Sequence, residues 1–270
     1  MFKSWRVTTL LLLLAVTAAD ATAGQRFGRR GRGGSMYWND GDDYTIYNVP
    51  YDGRFTFVRL SFTPGAGGDA WWGRRGRGQL WWDHDWPTAE RNLMQLVREL
   101  TSIYPYLDGS QILGADDPEL HKYPVAYVSE PGYWTVNEAE AEGLRNYLLK
   151  GGFLIFDDFS GPYEFLNLQQ CMAQVLPNVR IVPLDVSHPV FHSFFSLDTL
   201  NFTHPYEGVE SEFWGIHEDN DPEKRLMAII NYNNDIGELW EFSATGWFPV
   251  PLTNDAYKLG INYIVYAMTH

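Results

Sequence analysis

Cysteine is almost missing: the 270 residues hold one, Cys171. An internal disulfide is thereby excluded, so the fold must hold by burial, for which a composition 45% hydrophobic is ample. Long apolar runs are also scarce. After the first 23 residues none is long enough to cross a bilayer, so no transmembrane segment is expected in the mature chain. No H-E-x-x-H motif and no internal repeat is present. Lysine and arginine number 20 against 34 acidic residues, a net charge of −14. Even that total hides a separation, because Arg26, Arg29, Arg30 and Arg32 sit in one Gly-rich tail and Arg74, Arg75 and Arg77 in one loop. The remainder of the chain is more acidic than its sum.

What is present at the start is a leader. Lys3 and Arg6 precede the apolar stretch TTLLLLLAVTAA, and Ala21-Thr22-Ala23 supplies a small-x-small pattern. Residues 1–23 read as a secretory signal peptide cut near Gly24, which implies a periplasmic or extracellular protein. An uncleaved membrane anchor is the alternative. No lipidation cysteine adjoins the cleavage point, and Arg29-Arg30 lies on the wrong side of the apolar run for a twin-arginine signal. Residues 24–52 read as a disordered Gly/Arg-rich tail followed by a linker, or by an arm packed on the domain. The tail's arginines suit anionic surfaces. Arg-Gly runs also occur in RNA-binding segments, but an exported chain seldom meets RNA, and no nucleic-acid partner is expected.

Residues 53–270 are expected to form a single α/β domain. The stretch RFTFVRLSF (54–62) predicts a first strand, followed by a long Gly-, Trp- and Arg-rich loop. A helix is expected over residues 85–103, with Leu93, Leu96, Val97 and Leu100 as its apolar stripe and Asp85 or Thr88 as its cap. PVAYV (124–128) reads as a strand. TVNEAEAEGLRNYLLKGG reads as a helix, with Thr135 and Glu138 at capping-box spacing and Gly151 or Gly152 as the left-handed end. FLIFDD (153–158) follows as a strand, so the middle of the chain is a strand–helix–strand crossover and the sheet is mostly parallel. VRIVPL and RLMAIINY are further strands, and AYKLGINYIVYAMTH is a closing helix.

The run FLIF is apolar at every position, as in a strand covered on both faces, yet it ends on Asp157 and Asp158. Two unpaired charges inside such a sheet would be prohibitively costly. The strand is therefore expected to have ended, placing both carboxylates at the carboxyl edge, where open α/β sheets hold their ligands. A structural reading stands beside this one: Asp158 or Ser160 caps the next helix, and Asp157 binds loop amides. Asp83, His84 and Asp85 in WWDHDWP share the edge if the first strand is parallel to the others. Also considered are His188 and His192 in SHPVFHSF, and Asn231, Asn233, Asn234 and Asp235 in NYNND. Two carboxylates and a histidine suit a divalent metal, but the spacing matches no tight motif, and no cofactor is assigned. Paired carboxylates also suit hydrolysis of a glycoside. Trp71, Trp72, Trp81, Trp82 and Trp86 either stack on a ligand or pin the long loop to the body. Cys171 lies mid-helix among apolar residues and reads as a small core residue.

The unit YVSEPGYWTVNEAEAEGLRNYLLKGGFLIFDD resembles the centre of class I glutamine amidotransferase-like domains. More closely, FVRLSF, WWDHDWPTAERNL, GGFLIFDDF, HPVF, NYNND and KLGINYIVYAMTH resemble, in that order over residues 53–270, the bacterial family named domain of unknown function 4159. The resemblance implies a flavodoxin-like three-layer sandwich and an exported or membrane-associated setting. It implies no activity. True amidotransferases carry a cysteine at a tight turn after a strand, and none stands at such a turn here, so glutaminase chemistry is not expected. The expectation is a binding or assembly module. Its crevice of Asp83, His84, Asp85, Asp157 and Asp158, with His188, Asn234 and Asp235 as further candidates, would recognise a polar ligand, a glycan among them, or a partner protein. The alternative is a carboxylate- or metal-dependent hydrolase at the same cleft.

Overall fold

Pleating sends Phe153 and Ile155 to one face of a sheet and Leu154 and Phe156 to the other, and all four are buried. A computed structural model of the chain describes residues 48–65, 81–107 and 109–270. The signal-peptide segment, the arginine-rich tail, Trp71, Trp72, Arg74, Arg75 and Arg77 lie outside the described residues. Among those described, the strands are β1 (Val58–Leu60), β2 (Gln111–Leu113), β3 (Val125–Ser129), β4 (Phe153–Asp157), β5 (Val182–Pro183), β6 (Glu212–His217) and β7 (Leu226–Tyr232). They form one sheet in the order β2-β1-β3-β4-β7-β6-β5. The first five in that order are mutually parallel, whereas β6 runs antiparallel to β7 and β5 to β6.

The helices are α1 (Thr88–Leu100), α2 (Glu138–Leu149), α3 (Gly161–Val175), α4 (Ile236–Glu241) and α5 (Val250–Thr269). Val125, Tyr127, Phe153 and Ile155 share one hydrophobic cluster with α1, α4 and α5. Ala126, Val128, Leu154 and Phe156 share the other with α2 and α3. The sheet is thus covered on both faces, and β4, between β3 and β7, is the doubly buried strand its sequence announces. No helix among the described residues is long and apolar enough to cross a membrane.

Several boundaries depart from the sequence expectation. The first strand keeps three residues in place of nine. α1 starts at Thr88 behind Pro87 with no side-chain cap, and its buried stripe is Ala89, Leu93, Met94 and Val97, while Leu100 stays exposed. The capping box of α2 is built by Asn137 and Glu140, not by Thr135 and Glu138. Thr135 instead donates to the Thr63 carbonyl, which fixes the chain before the helix. At the other end Gly151 takes the left-handed conformation, φ +109°. α5 begins six residues before the apolar stretch that suggested it, because Pro251 fits a first helical turn, where its missing N–H is harmless. β2 escapes the sequence because it is only three residues long, and β6 because Gly215 and charged or polar ends interrupt its apolar residues. In β6, Gly215 leaves room for the leucine side chains packed on it, since a Cβ there would stand 2.6 Å from Leu226 Cδ1.

Asn137→Ala is expected to lower stability by about 1 kcal/mol in urea unfolding. Thr135→Ala should cost clearly less, and equal losses would contradict the observed box.

Candidate functional site

The carboxyl ends of β1, β3, β4 and β7 converge, and four non-glycine residues there adopt left-handed backbone: Asp85 (φ +63°), Glu130 (+51°), Asp158 (+62°) and Asn233 (+54°). Such strained conformers concentrate at functional positions. The segment after β1 is set by Arg59. Its Nε donates to Glu90 Oε1 at 2.6 Å, and its Nη1 donates to the carbonyls of Trp82 (3.0 Å) and His84 (2.6 Å). A buried guanidinium held by one carboxylate and two carbonyls fixes where His84 and Asp85 begin.

The two aspartates after FLIF have separate fates. Asp157 is the last residue of β4, wholly buried, and not in the crevice. Tyr127 Oη donates to its Oδ2 at 2.7 Å, Ile236 N at 2.9 Å and Gly237 N at 3.0 Å, while Asn231 Nδ2 donates to Oδ1 at 3.0 Å. It ties β3, β4 and β7 to the start of α4. Its expected place beyond the strand is therefore corrected, and the amides it binds are those of the first turn of α4 and not of a loop. Burial pushes its carboxyl up to about 6, against the pull of the donors. Asp158 turns the other way. Its Oδ2 lies 2.6 Å from His84 Nδ1 and accepts from Ser129 Oγ at 3.0 Å. Neither Asp158 nor Ser160 caps α3; Asn233 Oδ1 accepts from Gly161 N, and Glu164 reaches back to Ser160 N.

Around this pair the acids crowd. One ligand atom from each of His84, Asp85 and Asp158 falls within 4.8 Å of the others, and the same holds for His84, Asp235 and Glu238, and for Asp85, Glu238 and Glu241. Asp235 Oδ1 caps Glu238 N at 2.9 Å, and Tyr206 donates its hydroxyl to Glu238 Oε1. Asp85 is 6% exposed, and among the described residues no N–H or O–H donor reaches either of its oxygens; its close side-chain contact is the Glu238 carboxyl. Its nearest cation is His84 Nδ1, 3.5 Å from Oδ1. Gly237 makes room for it, since a Cβ there would meet Asp85 Oδ2 at 2.6 Å. Asn234 lies beside the edge, with Oδ1 accepting from Asp235 N and a buried Nδ2 that has no partner among the described residues.

Two carboxylates about 4 Å apart repel by roughly 4 kcal/mol at an effective dielectric of about 20. The cluster therefore shares few charges. Burial, then the charges of Asp158 and Glu238, drives Asp85 well above the usual carboxylate range, with His84 opposing. Burial and Asp158 do the same to Asp235 and to Glu130, and burial with Glu238 pushes Glu241 up to about 7. Burial disfavours charge on His84, but Asp85 and Asp158 outweigh it and hold the imidazole well above its ordinary value. Burial also opposes the charge on Asp158, and the ion pair with His84 keeps its carboxyl low. About a third of the His84 side chain, 34%, reaches solvent, so it is the cluster's opening.

Not every candidate belongs here. Asp83 sits in the turn Trp81–Asp83 and joins none of the close groups. His188 is a correction: it stands at the opposite edge of the sheet, 3.3 Å from His217, which pairs with the first residue of β7. There it caps the turn Pro189–Phe191. His192 contacts Val186 and Ser196. Asn231 serves Asp157, and Asn233 serves α3. Trp81 stacks on Tyr133 with centroids 3.8 Å apart, and Trp82 is core. Glu130, Tyr206, Gly237, Glu238 and Glu241 escaped sequence reasoning. Asp235 and Glu238 hold the spacing of a capping box just after a strand, the one signal that exposes α4.

The fold and this edge define an α/β protein with a mostly parallel sheet and an acidic histidine-bearing site at its carboxyl end. The chain belongs to the family described as Domain of unknown function (DUF4159), whose model matches residues 75–268. The match begins after β1, later than the motifs suggested. No curated protein matches the sequence.

Asp157→Ala orphans four buried donors at about 1–3 kcal/mol each, so it should unfold the protein or cost well over 3 kcal/mol. Asp85→Asn removes a crowded charge and, without added ligand, should leave the melting temperature equal or higher; a loss comparable to that of Asp157→Ala would contradict these roles. His188 is held down to about 4 by burial and by His217. Its contribution is complete above the unfolded value near 6.5 and is lost as pH falls towards 4. The stability of wild type relative to His188→Asn should therefore shrink between pH 7.5 and pH 5; a constant difference would refute the assignment.

Proposed function

We propose that the acidic edge binds a positively charged group and that the chain works as a binding or assembly module. Asp85 carries the reading. A buried carboxyl that no donor among the described residues reaches, crowded by Asp158, Asp235, Glu238 and Glu241 until it resists ionising, is a group whose charge a cation would restore. Trp81 stacked on Tyr133, and Tyr206, 53% exposed, offer aromatic faces beside it, which suit a glycan or a side chain of a partner protein. The parallel order β2-β1-β3-β4-β7 corresponds to the flavodoxin-like arrangement, which supports the flavodoxin-like, amidotransferase-like placement. Against glutaminase chemistry stands Cys171, buried in α3 with its thiol pushed up to about 11. The leader at residues 1–23 supports an exported setting.

One observation favours a hydrolase instead. His84 Nδ1 against Asp158 Oδ2 is an imidazole with its orienting carboxylate, and its raised value makes it a general acid at neutral pH. Turnover of nitrophenyl esters or phosphoesters, abolished in His84→Gln, would support that second reading.

The test of the first is a thermal-shift screen with divalent cations, spermidine and neutral oligosaccharides. A cation at about a hundred times its dissociation constant should add roughly 2.7 kcal/mol of stability. The shift should vanish in Asp85→Asn. A response to neutral sugars alone, or to nothing, would remove the cation-binding reading.

A further inference from the structure

The cationic partner has a narrower description, which rests on the reading of this edge as a cation site. His84 has one ring nitrogen committed, since Nδ1 is held by Asp158 and Asp158 is itself held by Ser129. That is the arrangement in which a carboxylate fixes the tautomer of a metal-ligating imidazole and leaves Nε2 to the ion. Asp158 is thereby spent on orientation. Asp235 uses Oδ1 on Glu238 N and keeps Oδ2, and Glu238 is steadied by the Tyr206 hydroxyl. These outer partners aim their groups as the surroundings of a metal ligand do. Asp85 is the independent observation: it is buried beyond nine-tenths, no N–H or O–H donor among the described residues reaches either oxygen, and it lies against the Glu238 carboxyl and 3.5 Å from His84 Nδ1.

We propose that the carboxyl-edge cluster is a divalent-metal centre with His84, Asp85, Asp235 and Glu238 as ligands and Asp158 as the positioning residue. Gly237 is part of the design, because a Cβ there would press to 2.6 Å from Asp85 Oδ2 and 2.7 Å from Tyr127 Oη. One imidazole with three carboxylates, and no thiolate within reach, selects a first-row ion such as manganese, iron(II) or zinc over copper(I). Calcium, which takes oxygen ligands, fits an imidazole poorly.

The experiment uses the full chain, stripped with EDTA, dialysed, and titrated with Mn²⁺, Zn²⁺ and Ca²⁺ by calorimetry, with pulsed EPR on the manganese form. One Mn²⁺ or Zn²⁺ per chain is expected, bound more tightly than Ca²⁺, with a nitrogen coupling from His84. Asp85→Asn and Glu238→Gln should each weaken binding at least tenfold. Asp158→Asn should weaken it roughly 10- to 100-fold and alter the nitrogen coupling without abolishing it, which a merely structural residue would not do. Glu223→Gln, an exposed acid elsewhere, should change nothing. If Glu238→Gln fails to fold, the nitrogen coupling of wild type and the Asp85→Asn titration decide. Absence of stoichiometric metal, absence of nitrogen coupling, or undiminished binding in Asp85→Asn overturns the centre. Failure with metals alongside a spermidine shift removes the metal and leaves the cation site; failure with every cation removes both.

Discussion

The carboxylate of Asp157 is the constraint on which the rest depends. It gathers donors from Tyr127 on β3, Asn231 on β7 and the first two amides of α4 at the end of the central strand. An anion in a dry interior is tolerable only when its lone pairs are taken. Once they are, the neighbouring chain has little freedom. The β4 exit must turn, β7 must hand directly into α4, and Gly237 must lie against the underside of the loop after β1. The acidic cluster is assembled above this knot by elements far apart in sequence.

Stability and function pull against each other at that edge. Asp85, Asp235, Glu130 and Glu241 are all kept from ionising freely by burial and by one another. A sequence selected for stability alone would have amides or hydrophobic residues there, since replacing buried charge is often stabilising. The left-handed backbone of Asp85, Glu130 and Asp158 adds to the strain. Among the described residues, the arginine close by is Arg59, and it is given to Glu90 and to two carbonyls rather than to Asp85.

How much of this was legible in the sequence follows from the kind of signal. The uninterrupted run at Phe153 and the helix ending in Gly151 were readable because doubly covered strands and left-handed helix ends have compositional marks. His84, Asp85, Asp158 and Asp235 were also readable, since polar groups just past strands fall at one edge of a parallel sheet. The sequence placed Asp157 and Asp158 together at the carboxyl edge and did not show that Asp157 goes inward. That depends on Tyr127, Asn231 and Tyr263, whose meeting is tertiary. His188 misled because a histidine in a loop says nothing about which end of the sheet its loop visits. β6 runs backwards, and that reversal carried His188 and His217 away from the site. Glu238 and Glu241 were hidden because a six-residue helix is too short to show a period.

The margins of the sheet carry a different consequence. On one side Asn48 uses its amide as a surrogate strand, with Ile112 N donating to Oδ1 at 2.8 Å and Nδ2 donating to Ile112 O at 3.0 Å. On the other, β5 is two residues long and ends in Pro183, which has no amide hydrogen to offer. Open ribbons invite neighbouring chains to add on. Here one border is already answered and the other is blunt, so crowded copies of this protein find little to template on, and the hydrogen-bonding appetite of the sheet is satisfied within each molecule.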